Sequence, residues 1–515
     1  MQAMVADKAG VKTKRHGTGD RLALLWLRQD LRLADNQALH AAMADADRVL
    51  PVFVLDQEAG GPWAPGGASL WWLHHSLAAL GEAYGKLGTR LILRRGDAST
   101  IITELARETG ADIVHCGMAH EPWLRRLDAG VAASLQADGR KLATHRVATL
   151  FDLDGIRSKT GTRYGVYTPF ANTCRALPDP EQPLPAPKKI AGPVRLPNSD
   201  RLEDWCLLPT APDWAGSMRD TWTPGEVGAS RRLHDFLDSR LDGYGASRDI
   251  PGDPKGTSML SPHLHWGELS ATQVWYAARE AAAKLNGVRA GGFERFQGEL
   301  LWHEFAAYLL RHNPAMPEDP LRPAFARLPW RDDAKGLQAW QRGRTGIPIV
   351  DAGMRQLWQL GWMHNRVRMI TASYLVKHML VSWQQGEAWF WDALVDADLA
   401  TNSASWQWVA GTGTDSQPFF RVFNPVTQGR KFDADGLYVR QYVPELKSLP
   451  DRWLHEPWAA PDVVLKKAGI VLDHDYPRPI VGLDEGRDRA LKAFRETVQH
   501  RSDEPEADEA QDAAE

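Results

Sequence analysis

The chain has 515 residues, of which 24% are charged and 43% apolar, and its formal net charge is −4. That length holds two domains or more, and the composition excludes a disordered or fibrous chain. The near-neutral balance excludes nucleic-acid binding through a global positive field, so any such contact rests on a local patch. Cys116, Cys174 and Cys206 are odd in number and lack metal spacing. They fit a reduced, cytoplasmic setting, and neither a disulfide framework nor a zinc site. No apolar run approaches a membrane span, and the first 20 residues lack the apolar core of a signal peptide.

Residues 1–20 are polar and basic and read as a disordered tail. Apolar runs predict strands at Leu22 to Leu27, Val49 to Leu55, Leu91 to Leu93 and Asp112 to Cys116. Between and after them, 3.6-residue periods predict helices, among them Ala68 to Leu87, Ile101 to Glu108 and Pro122 to Leu135. The alternation predicts a doubly wound parallel sheet over residues 21–152. No G-x-G-x-x-G loop follows the first strand, which disfavours a dinucleotide held in the usual βαβ manner. Proline crowds the stretch from Pro178 to about Pro224, so residues 153–228 read as a linker over the surface, ending in a turn-like Gly225 to Gly228. Residues 229–500 show only helical periods and predict an all-helical domain, followed by an acidic, disordered tail at 501–515.

Four constellations stand out in the helical part. In KGTSMLSPHLHWGELS, the hydroxyls and backbone N–H groups of Thr257, Ser258 and Ser261 precede a helix, as a phosphate cradle or a plain helix cap would. Glu299, Trp302 and His303 share one helix face, which suits a carboxylate and an indole meeting a flat polar ring, or a core tryptophan beside a surface acid. Asn365, Arg368 and Met369 share another face. Arg368 is positioned to pair with Asp396 or Asp398, in a site or in a structural salt bridge. Asn402 follows these carboxylates and offers an amide that both donates and accepts. The chain has 22 tryptophans, and Trp330, Trp383 and Trp406 are spaced as an electron relay or as core.

Together, LWLRQDLRLADNQAL, WMHNR, DADLATN, WQW, GTGTDSQPFFRVFNP and KFD resemble the photolyase/cryptochrome family, over nearly the whole chain. The resemblance implies an α/β antenna domain, a helical domain holding non-covalent FAD, and damaged DNA as partner. It implies that Tyr244 and Thr257, Ser258, Met259, Leu260 and Ser261 hold the FAD phosphates. Arg368 and Asp396 then pair beside the flavin, Ala397 and Asp398 line its ring edge, and Asn402 faces N5. Phe296 stands where relatives often have tryptophan, and Trp406, Trp383 and Trp330 match the family's electron relay.

Within the family, Glu299, Trp302, Met369 and Trp408 match the pocket of members that repair cyclobutane pyrimidine dimers, of the bacterial group related to plant cryptochromes. Asn365 and Met369 stand where (6-4) repair relatives place histidines. Asn402 replaces the Asp of plant-type and the Cys of many animal-type cryptochromes. The implied activity is light-driven repair by an electron from reduced FAD, and the alternative is a blue-light receptor without repair. Arg248, Arg366 and Gln428 are expected to touch the strand near the lesion, and His303 stands where many repair enzymes have an arginine for the DNA backbone. Trp71, Trp72 and Glu121 are the expected antenna contacts, for a methenyltetrahydrofolate or alternatively a deazaflavin; the Trp pair reads equally as core. A monomer without an obligate protein partner or a metal is expected. Trp362, Trp389 and Trp391 read as core packing.

Overall fold

A computed structural model describes residues 20–284, 290–416 and 418–502. The two predicted tails lie outside them, apart from Asp20, Arg501 and Ser502. The N-terminal part is a wholly parallel sheet of β1 Leu22–Leu27, β2 Arg48–Leu55, β3 Ile92–Arg95, β4 Ile113–Gly117 and β5 Lys141–His145. Their order is β3-β2-β1-β4-β5. Helices α1 Gln37–Asp45, α2 Gly67–Leu87, α3 Ala98–Thr109 and α4 Pro122–Ala137 make the connections. Every residue of β1 is buried, as expected of a central strand covered on both faces. The side chains of Asn36 and Asp97 start α1 and α3 by accepting from the backbone N–H groups of Leu39 and Thr100. At the carboxyl ends of β1 and β2, beside the point where strand order reverses, lies a crevice of about 120 Å³ bordered by Trp26, Arg28, Phe53, Asp56, Trp123 and Trp391.

The stretch expected as a surface linker is built into the fold. It carries helix α5, Tyr167–Ala176, and helix α6, Gly216–Thr221. Its backbone also bonds to the α/β part: Val49 N donates to Ala191 O at 2.8 Å, and Ile190 N to Leu87 O at 2.8 Å. Trp205 is buried against Phe53, and Trp222 is buried with its Nε1 donating to Leu360 O at 2.8 Å.

The rest of the described chain is helical, with α7 Glu226–Ser239, α8 Tyr244–Ser247, α9 Ser261–His265, α10 Ala271–Ala283, α11 Ala290–His312 and α12 Ala334–Gln341. There follow α13 Pro348–Leu360, α14 Asn365–Ser373, a π-helical turn at Tyr374–His378, α15 Trp383–Ala393, α16 Leu399–Ala410 and α17 Pro425–Phe432. Helix α7 starts inside the predicted turn, because Gly225 (φ 101°) reverses the chain one residue earlier. Glu226 then accepts from the N–H groups of Leu33 and Ala34, both at 2.9 Å, fastening α7 to the loop after β1.

Of the two readings of Trp71 and Trp72, antenna contact or core, the packing favours core. Both lie on α2 at the seam between the two parts and are 1% and 0% exposed. Trp72 Nε1 donates to Glu268 at 3.0 Å, and its ring meets Trp222 and His263 edge-on. Glu268 also accepts from Gly225 N at 2.6 Å and bonds His263 Nδ1 at 2.5 Å. Neither indole keeps a free face for a chromophore, because the interdomain core covers both. Trp391 is buried, donating to Ala64 O at 2.8 Å and packing edge-on to Trp63, while it also borders the crevice.

Candidate functional site

Helices α14 and α16 bring together the residues expected at the flavin ring. Arg368 Nη2 lies 3.0 and 2.8 Å from the two oxygens of Asp396, and its Nε donates to Met363 O at 2.8 Å. The Asp396 side chain is almost wholly buried, so the pair is a charge held out of water on one side. Trp362 does more than pack. Arg368 lies 5.9 Å from its ring, and its Nε1 donates to Ser261 Oγ at 3.2 Å, so it joins the pair to the expected phosphate loop. Asp398 starts α16 by accepting from Thr401 N at 2.7 Å. Burial pushes its carboxyl up, but the charges of His303 and His265 and the bonds from Thr401 outweigh this and leave it below the ordinary range. Ala397, between the two carboxylates, is buried. Asn402 is buried, and its Nδ2 donates to Glu387 O at 3.1 Å, which turns the amide oxygen away from that carbonyl. Glu387 is fully buried, and burial pushes its carboxyl well up, against the bond from Ser403 Oγ.

Among the described residues, no backbone N–H from Thr257 to Ser261 has a protein acceptor. The loop turns at Met259, whose φ of 51° is left-handed. Arg232, not singled out from sequence, lies 3.8 Å from Met259 Sδ and adds positive charge there. Ser258 is half-buried and Leu260 buried. Tyr244 and Phe296 are buried edge-on to each other, 5.6 Å apart. Unpaired N–H donors beside an arginine suit a pyrophosphate, and a buried Arg–Asp pair with a fixed amide suits a polar ring, so these groups fit FAD.

The second half of the site opens beside α11. Trp302 lies flat on Tyr167 of α5, with ring centroids 3.6 Å apart and planes at 5°. It is 38% exposed although Tyr167 covers one face, so part of the ring remains open to a ligand. Tyr167 is held by its hydroxyl, which donates to Gly298 O at 2.9 Å, and by its N–H, which donates to Asp415 at 2.9 Å. One turn before Trp302, Glu299 is ion-paired with Arg248. Arg366 pairs with Asp249 at 2.9 Å, lies over the Phe432 ring at 4.5 Å, and reaches Met369 Sδ at 3.8 Å. His364 caps α14, its Nδ1 accepting from Arg366 N at 3.2 Å. Burial lowers this imidazole to about 4, so it stays neutral and serves as an acceptor. Asn365 is exposed at the start of α14, while Trp408 on α16 and Gln428 on α17 are half-buried. Tyr167 and Asp249 were not read from sequence, and the turn-like SRDIPGD around Asp249 holds no signal for its distant partner.

His303 lies on α11 between the expected DNA side and the flavin side of the site. It is half-buried and close enough to Asp398 and His265 for its charge to act on both. Glu121 is buried, and burial pushes its carboxyl up, against the bond from His120 N at 3.2 Å. Of the expected relay, Trp406 and Trp383 are buried and Trp330 is half-buried, all packed on one core. Trp406 also meets Phe390 at 5.0 Å and Trp340 at 6.2 Å. Trp389 stacks on the exposed Trp358 at 6.2 Å.

Residues 23–188 match the family model described as DNA photolyase, and residues 296–496 the FAD binding domain of DNA photolyase. The chain is 47% identical to the deoxyribodipyrimidine photo-lyase of Agrobacterium fabrum, over 92% of this chain and 97% of that protein. It is 36% identical to cryptochrome-1 of Arabidopsis thaliana, over 93% of this chain and 70% of that one. A crystal structure of a bacterial class III photolyase from Agrobacterium tumefaciens superposes with a TM-score of 0.90 at 45% identity, over 95% of this chain and 100% of that one. With a parallel α/β half, a helical FAD-binding half and this likeness along almost its full length, the chain belongs to the photolyase/cryptochrome family.

Proposed function

We propose that this protein repairs cyclobutane pyrimidine dimers in DNA under light, as a carbon–carbon lyase with bound, reduced FAD. The observation that carries the reading is the Trp302 indole, backed by Tyr167, still 38% exposed and one helical turn from Glu299. A dimer inside a duplex is out of reach and must be flipped out, which costs least where stacking and pairing are already broken. Trp302 and Trp408 are apolar walls for the extruded bases, with Met369 beside them, and each stack contributes about 1–3 kcal/mol. Glu299 hydrogen-bonds the base edge and, when protonated, donates to it and stabilises negative charge arriving there. Asn365, Arg248, Arg366 and Gln428 hold the strand on either side.

FAD supplies the chemistry when bound: light drives an electron to the dimer, the ring opens, and the electron returns. The protein's part is placement and field. The N–H groups from Thr257 to Ser261, with Tyr244 and Arg232 nearby, receive the phosphates. Arg368, Asp396, Asp398 and Asn402 orient the ring, with Phe296 at its side. Trp406, Trp383 and Trp330 carry electrons inward when the cofactor must be reduced. An antenna belongs in the crevice at the ends of β1 and β2, with methenyltetrahydrofolate the first candidate and a deazaflavin the second. A cytoplasmic monomer, with an antenna domain at 21–152 and a catalytic domain at 229–500, completes the proposal. No helix among the described residues is long and apolar enough to cross a membrane.

The test is illumination of the protein, with reduced flavin, in the presence of dimer-containing single-stranded DNA. The thymine absorption band is expected to recover. No recovery with flavin bound supports a light receptor instead. Glu299→Ala is expected to lower repair yield far more than flavin content, and equal loss of both refutes its pocket role.

A further inference from the structure

At the mouth of the site, four charges alternate in one chain of contacts: Glu299, Arg248, Asp249 and Arg366. Arg248 pairs with Glu299, its Nε lies 3.8 Å from Asp249 Oδ1, and Arg366 Nη2 lies 2.9 Å from the same Oδ1. The two arginine side chains are 7% and 19% exposed, and the two carboxylate side chains 32% and 33%. Two hidden cations are therefore capped by two half-exposed anions, and what an approaching DNA strand meets first is negative. Neither Arg248 Nε nor Arg366 Nε has a hydrogen-bond acceptor among the described residues. The network thus leaves donors unused and can exchange partners without losing a saturated set of bonds.

We propose that Asp249 is a specificity-determining residue: it holds Arg366, and through a shared oxygen Arg248, in a carboxylate-capped network that undamaged DNA does not open and a flipped-out dimer does. The inference rests on the dimer-repair reading of the same site. An intact strand offers phosphates alone, and these must displace Asp249 from Arg366 against the repulsion of two carboxylates. A flipped dimer brings more. Its base-edge donors take Glu299 from Arg248, and its rings stack on Trp302, so the release of the arginines is coupled to contacts that only the lesion makes. Arg248 and Arg366 then turn to the flanking phosphates. Asp249 makes no contact with DNA in this scheme and acts through the arginines it restrains.

The test measures binding of an intact duplex and of the same duplex with one dimer, in the dark, with flavin-loaded wild type, Asp249→Asn, Asp249→Ser and Asp249→Glu. Removing the carboxylate is expected to tighten binding of intact DNA by about two- to fivefold, the size of a half-exposed ion pair. Dimer binding should change less, so the preference for damage falls. The salt dependence of intact-DNA binding should steepen by about one released counterion, which a purely structural defect does not produce. Asp249→Glu should restore the wild-type preference. In an Arg366→Gln background, Asp249→Asn should no longer tighten intact-DNA binding. The proposal is overturned if both neutral variants keep the wild-type preference and salt slope, or if the gain persists without Arg366. A wild type that neither prefers dimers nor repairs them overturns the dimer-repair reading as well, whereas a wild type that does both while the variants match it overturns the Asp249 inference alone.

Discussion

Tyr167→Ala removes the ring beneath Trp302, and the size of the effect follows from the contact. A parallel aromatic stack contributes about 0.5–1.5 kcal/mol beyond its buried area. Here it also fixes an indole that is otherwise 38% exposed and free to change rotamer. Losing that fixation adds up to about 0.5–1 kcal/mol of ordering entropy when a base stacks on the other face. The stack itself is present with and without DNA and cancels from the binding energy, so the lost fixation alone, about 0.5–1 kcal/mol, corresponds to a Kd for dimer-containing DNA raised about two- to fivefold. Tyr167→Phe keeps the ring and loses only the hydroxyl bond to Gly298 O, so its Kd should rise less than that of Tyr167→Ala. Fluorescence anisotropy with a labelled oligonucleotide, with and without a dimer, reads both values. Three results refute the reasoning: an unchanged Kd for Tyr167→Ala, an equal loss for the Phe variant, or an equal loss on undamaged DNA. Thermal melting checks that the fold survives.

Arg368→Ala leaves Asp396 buried without its cation, which costs about 3–5 kcal/mol. The melting temperature and the flavin content should both drop, and a double replacement, Arg368→Met with Asp396→Leu, should recover the first and not the second. Gly386→Ala puts a Cβ 2.1 Å from Cη2 of Trp406 and 2.7 Å from Cδ2 of Leu375. It should destabilise by about 1–3 kcal/mol in thermal unfolding and slow light-driven flavin reduction through a displaced Trp406; an unchanged reduction rate would remove Trp406 from the relay. Lys377 is wholly buried in the π-helical turn, and burial lowers its ammonium from 10.5 to about 7. The folded state then binds fewer protons than the unfolded chain between about pH 7 and 10.5. The stability due to this residue is present in full above the upper value, falls as pH drops, and is gone below about 7. Urea unfolding across that range should show the slope, and Lys377→Met should flatten it.

Much of the fold was legible because its signals are local. The run Leu22 to Leu27 is a strand with the predicted ends, since six consecutive apolar residues suit a strand buried on both faces. The strand Lys141–His145 escaped notice because it lies at the sheet edge, and its side chains are only half-buried or exposed. Proline density suggested a loose linker, yet main-chain bonds to the sheet and two buried indoles hold it in place; neither leaves a periodic pattern. Around the site, Arg368 and Asp396 were readable as a pair because each sits in a dense motif. Asp249 and Tyr167 were not, because their partners lie more than a hundred residues away. Trp71 and Trp72 show the converse limit: a paired indole looks the same in sequence whether a ligand or Trp222 and His263 cover it.

The cluster around Glu268 has a consequence for light collection. Its carboxylate takes Trp72 from the α/β half and Gly225 and His263 from the helical half, all in a buried seam. Such a joint resists hinge motion, so a pigment seated against β1 and β2, as proposed, would keep one distance and one orientation to the ring site. Excitation transfer between two pigments falls off steeply with separation and depends on the angle between their transition dipoles. With an antenna seated as proposed, a stiff seam would act as an optical mount: every molecule in the population would transfer energy with the same efficiency, and loosening Glu268 would broaden that efficiency without touching either pigment.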